Sequence, residues 1–162
     1  MRKIIRQNVW ETNSSSSHSL SIKPSIQLSD FNIPLNADGY IEAKFDQYGW
    51  GYSELHSQEE KLSYLLTIVK YEAVDYIYRS DDLTQDAFRA TEGFQILNDF
   101  CKKYCNGIST NNTDMGHGYI DHQSNEGSLR NYLQNNGTTI EEIILNDKAY
   151  IIIDNDNGGD YE

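Results

Sequence analysis

Ser57-Gln58-Glu59-Glu60 has the reciprocal pattern of a helix N-terminus. The serine hydroxyl can accept the third helical N–H, and the glutamate can reach back to the serine's own N–H. Behind it Leu62, Leu65, Leu66, Val69, Ala73 and Tyr76 recur at helical spacing, so a long helix with a buried stripe is predicted. At 162 residues the chain is the size of one domain and can bury roughly two thirds of its unfolded surface without a metal or disulfide. A single domain over 1–162 is expected, with an acidic, frayed tail from about residue 155.

Three strands are predicted before that helix. Lys3 to Trp10 supplies Ile4, Ile5 and Val9, and Ser19 to Lys23 alternates serine with Leu20 and Ile22, a half-buried strand pattern. The polar run between them, Glu11 to Ser17, would be the loop of a hairpin. Tyr40 to Asp46 alternates again, with Ile41, Ala43 and Phe45 on one face, and Tyr48-Gly49-Trp50-Gly51-Tyr52 suits a tight turn packed with rings. A second long helix is expected from near Thr91, with Phe94, Leu97, Cys101 and Tyr104 on one stripe and a stop at Asn106-Gly107. Residues 108–118 read as a loop, Tyr119 to His122 as extended, Gly127 to Gln134 as helical, and Ala149 to Asp154 as a last strand. The implied class is α+β, a mostly antiparallel sheet covered by the two longer helices.

Charge is uneven along the chain. Residues 1–23 hold Arg2, Lys3, Arg6 and Lys23 against Glu11, while the remainder has nine basic and twenty-four acidic residues, within a total of −12. Such an acidic body repels nucleic acid and suits docking on a basic surface; the plainer reading is that it keeps a small protein soluble. No stretch approaches the ~20 apolar residues of a membrane span, and Met1 to Ile5 carries no secretory pattern, so a cytosolic protein is expected. Cys101 and Cys105, four apart, then read as thiols in a reducing compartment, and Asn13, Asn112 and Asn136 lose any meaning as glycan acceptors.

The segment least like scaffold lies near the start. Thr12, Asn13, Ser14, Ser15, Ser16, Ser17, His18 and Ser19 gather six hydroxyls, an amide and an imidazole close to Arg2, Lys3 and Arg6. Short polar side chains and turn N–H groups make a concave anion receptor, and Arg2 and Arg6 can add charge-assisted bonds to phosphate. The competing reading is a serine-rich turn whose side chains hydrogen-bond their own backbone.

The block Arg6-Gln7-Asn8-Val9-Trp10-Glu11-Thr12-Asn13-Ser14-Ser15-Ser16-Ser17-His18-Ser19-Leu20 resembles the opening of a group of small bacteriophage and prophage proteins. The resemblance covers about a tenth of the chain, and the group carries no agreed activity or catalytic residues to transfer. It implies a phage origin, residence in the cytoplasm of a bacterial host, and a counter-defence role of the anti-CRISPR type. The partner would be a host defence protein or ribonucleoprotein, with RNA or a nucleotide as the other candidate.

A second polar cluster is His117-Gly118-Tyr119-Ile120-Asp121-His122, with Asp114 before it. His18 and His122, with Asp121, offer an acid and a base for metal-independent phosphodiester cleavage, since imidazole titrates near neutral pH. The spacing of His117, His122, Asp114 and Asp121 matches no familiar metal pattern, and the acidic tail ends short of a calcium loop, so no metal site is predicted. Phosphate-binding loops, dinucleotide fingerprints and nucleophile elbows are absent from the sequence, and no cofactor is expected. The expected function is therefore a binding antagonist of host defence, with an RNA- or nucleotide-cleaving enzyme or a nucleotide-binding sponge as alternatives.

Overall fold

The computed structural model describes residues 2–5, 16–23, 27–49, 51–74, 82–120 and 127–155. In chain order these form β1 (Arg2–Ile5), β2 (Ser16–Ile22), β3 (Ile41–Glu42), β4 (Gln47–Tyr48), β5 (Ser53–Leu55) and α1 (Gln58–Val74). Then come α2 (Gln85–Arg89), α3 (Glu92–Cys101), β6 (Ile108–Ser109), β7 (Tyr119–Ile120), α4 (Leu129–Asn136), α5 (Ile140–Ile144) and β8 (Tyr150–Asn155). The class is α+β. Four strands in the order β1-β2-β8-β5 make one antiparallel sheet, and β3-β6 and β4-β7 add two short parallel pairs.

The first two strands do pair antiparallel, with Ile4 opposite Leu20. The second of them is longer than the sequence implied. Strand β2 starts at Ser16, three residues before the expected Ser19, because Ser16 and Ser17 pair with Asn155 and Asp154 of the last strand. His18, Leu20 and Ile22 are all buried, the period-2 face of a strand that enters the core. Tyr40 to Asp46 keeps the alternation predicted for it, with Ile41, Ala43 and Phe45 buried, although ladder pairing covers only Ile41–Glu42.

The capping box forms as expected. Glu60 N–H donates to the Ser57 hydroxyl at 3.1 Å, and the Glu60 carboxylate accepts from the Ser57 and His56 N–H groups, each at 3.1 Å. The helix that it starts is buried on more than one stripe. Leu62, Leu65, Leu66 and Val69 are buried as predicted, but so are Lys61, Tyr64, Thr67, Ile68 and Lys70, because α2, α3, α4 and α5 pack around α1 while Tyr64 and Lys61 reach the sheet side. Tyr76 lies outside the described residues, as does Trp50 of the aromatic turn.

Helix α3 starts on the expected cap, Thr91, whose hydroxyl accepts from Phe94 N–H at 3.2 Å. It ends at Cys101, earlier than Asn106-Gly107, and Tyr104 is exposed in the turns beyond it while Phe94, Leu97 and Cys101 are buried. Both cysteines are free thiols. Burial, and then the neighbouring Cys105, push the Cys101 thiol up to about 12. Helix α4 stops at Gly137, whose left-handed φ of 57° closes a C-cap. None of the helices in the described residues is long and apolar enough to cross a membrane.

Candidate functional site

Of the residues the sequence nominated, Arg6, Thr12, Asn13, Ser14, Ser15, Asp121 and His122 lie outside the described residues. Arg2 sits in β1, and Ser16 and Ser17 sit in β2 against Asn155 and Asp154. His18 is placed fully. Its side chain is 4% exposed, Nδ1 lies 2.8 Å from the Tyr64 hydroxyl, and the two rings tilt at 59° with centroids 5.7 Å apart. Tyr64 in turn meets Tyr48 edge-on at 5.0 Å and Tyr132 at 6.0 Å. His18 is thus the sheet's contribution to a buried aromatic cluster, inaccessible to an RNA strand in this conformation.

The second polar cluster is held from below. Lys70, completely buried on α1, donates through Nζ to the carbonyls of His117 (2.8 Å) and Gly118 (3.2 Å), with its ammonium 5.5 Å from the Phe45 ring centre. Gly118 has φ +100°, and a Cβ there would collide with Phe45. The glycine thus serves close packing against Phe45. Lys61 plays the same part nearer the start of α1, donating to the carbonyls of Asn146 (3.2 Å) and Ala149 (2.9 Å). Its ammonium is lowered to about 8, mainly by burial, with Asp147 opposing.

The surface offers a better-formed site, which the sequence did not reveal. Two cavities, about 180 and about 260 Å³, flank the Lys44–Glu59 ion pair (3.2 Å) beside the first turns of α1, and both are lined by Lys44, Glu59 and Ser63. The larger adds Asp46, Tyr48 and Glu60. Tyr48 is 5% exposed, and its hydroxyl makes no hydrogen bond with the described residues. Burial, followed by the Asp46 and Glu60 carboxylates, holds this phenol well above its ordinary range, so it stays protonated.

On the neighbouring edge strand, Tyr52, Glu54 and His56 share the outward face by strand periodicity. The Tyr52 hydroxyl donates to Glu54, His56 Nε2 lies 2.8 Å from the same carboxylate, and the His56 ring stacks on Tyr150 at 4.5 Å. The hydrogen bond from Tyr52, then that from His56, lowers Glu54. Among the described residues no group of three or more histidines, cysteines or acids is arranged to hold a metal. Compared with family models, curated proteins and solved structures, the chain matches none.

Proposed function

We propose that the chain is a binding protein that antagonises a bacterial host's defence, docking its acidic body on the basic nucleic-acid channel of an effector protein or ribonucleoprotein. The observation that supports this is the sorting of charge by burial. Among the described residues no aspartate or glutamate is buried, whereas Lys61 and Lys70 are completely so. Two of the eight described cations in residues 24–162 are thereby withdrawn, which leaves six against seventeen described acidic residues. Of these six, Lys44, Arg89, Lys103 and Arg130 each pair with a carboxylate. The body therefore presents a more acidic surface than its composition suggests, the complement of a channel built for phosphates. The phage resemblance of the opening block supplies the biological setting.

The enzymatic alternative has less support. A His18 with Nδ1 against Tyr64 and 4% exposure is built into the core, and a general acid or base must reach the proton it transfers. The test is the association rate of the full chain with purified defence nucleases, with and without their guide or substrate nucleic acid, at low and high salt. Binding should compete with nucleic acid, and Asp82→Lys and Asp154→Lys should slow association at low salt with little change at high salt. Identical rates for parent and variants in both buffers, or turnover of labelled RNA that survives rigorous purification, would sink the reading.

A further inference from the structure

Three carboxylates, one phenol and one ammonium converge on the larger cavity beside α1. Asp46 Oδ1 is occupied by the Gln47 N–H (2.7 Å), Glu60 Oε2 by the two capping N–H groups, and Glu59 Oε1 by Lys44. Each carboxylate keeps a second oxygen with no donor among the described residues. In the wall beside Asp46 and Glu60 stands Tyr48, nineteen-twentieths buried, its hydroxyl unpartnered at the cavity. The hydroxyl bonds no described residue and is open to solvent, so the position facing it is the cavity itself. Phe45 and Leu55 supply its apolar lining.

The geometry points to this cavity as a receptor for the guanidinium of an arginine side chain presented by a basic protein partner. This rests on the proposed binding role and names the anchor that would hold it. Three carboxylates against one ammonium leave the lining short of positive charge, which selects a cation. A guanidinium offers five N–H donors in a planar fork, matching acceptors spread over Asp46, Glu60 and the Tyr48 oxygen better than a point-like ammonium does. The volume, about 260 Å³, falls below the roughly 300–1,000 Å³ of sites that engulf a drug-sized molecule. One side chain fits that space. Lys44 acts as the internal competitor, neutralising Glu59 across the partition between the two cavities.

The experiment titrates the full chain with Nα-acetyl-arginine methylamide, following backbone amide shifts by NMR, with the citrulline and lysine analogues as controls. Saturable shifts are expected at residues 44–48 and 59–63 for arginine, with affinity weakened at least fivefold for lysine and absent for uncharged citrulline. Tyr48→Phe, checked for an unchanged melting temperature, should weaken arginine about five- to tenfold, the loss of one hydrogen bond. Lys44→Ala should tighten it. Equal binding of citrulline, or equal affinity in parent, Tyr48→Phe and Asp46→Asn, overturns the assignment. Because the probe is a free arginine derivative, its failure is separable from failure of the binding role. An effector still bound with steep salt dependence, but no arginine seated here, would remove the pocket and leave the docking surface. Arginine seated here with no effector bound would do the reverse.

Discussion

Nδ1 of His18 and the hydroxyl of Tyr64 lie 2.8 Å apart inside the core, one on the second strand and the other on the central helix. This contact ties the sheet to α1 at the point where the serine-rich block enters the fold. Its energetic role comes from its burial. A buried polar pair costs little while both partners are present and much when one is removed.

His18→Ala should therefore destabilise the protein by about 2–4 kcal/mol, combining a cavity with the loss of a buried hydrogen bond. Tyr64→Phe should cost about 1 kcal/mol, since the ring packing survives. Chemical denaturation of both variants measures this. A His18→Ala protein as stable as the parent, yet inactive in defence inhibition, would restore the histidine to a functional site.

The cap of α1 gives a local test. Ser57→Ala removes the acceptor for Glu60 N–H and should lower stability by about 1 kcal/mol without changing partner binding. Loss of binding at unchanged stability would place Ser57 in the interface, where the neighbouring Glu59 and Glu60 already line the cavity.

Glu72 joins three helices. Its two oxygens accept the N–H of Leu129 (2.6 Å) and of Gly93 (3.0 Å), at the N-termini of α4 and α3, where a negative charge is favoured. Glu72→Ala should cost about 2–4 kcal/mol, and Glu72→Gln less, because the amide keeps one acceptor and loses the charge. Urea midpoints for the two variants decide it; equal, negligible losses would mean that water serves the two amides as well as the carboxylate does.

The features legible in the sequence are the local ones. Ser57 and Glu60 are three residues apart, Thr91 caps its own helix, and Gly137 ends one; each signal and its consequence share a single turn. The burial of His18 was also legible, since it stands in period with Leu20 and Ile22, but the hydroxyl-rich run beside it argued for a loop. Strand β2 extends through Ser16 and Ser17 because β8, more than a hundred residues later, pairs with it. Lys61 and Lys70 were hidden for the same reason. A lysine at helical spacing reads as solvent-facing until the carbonyls that receive it arrive from 85 and 47 residues away. The cavity joins Asp46 and Tyr48, at β4, to Glu60 on α1, so no single motif announces it.

Lys61 provides a pH signature. Its folded-state value is lowered from 10.5 to about 8 because burial penalises the ammonium. Between those two values the unfolded chain binds a proton that the folded chain lacks, so stability should rise with pH across this window, and below pH 8 the protein carries the whole cost of burying the charge. The full effect is on the order of 3 kcal/mol. Cys101 works in the opposite sense: its thiol, raised from 9.0 to about 12, keeps its proton when folded, so its contribution falls as pH rises through 9. Measuring the parent against Lys61→Met isolates the lysine, because the cysteine is common to both. Lys61→Met leaves the Asn146 and Ala149 carbonyls without their donor and should be less stable where the parent's lysine is neutral. Its deficit relative to the parent should widen steadily from pH 8 to pH 10.5. A difference that stays flat across that range would show that Lys61 keeps its ordinary proton affinity and that its two carbonyl partners compensate fully for burial.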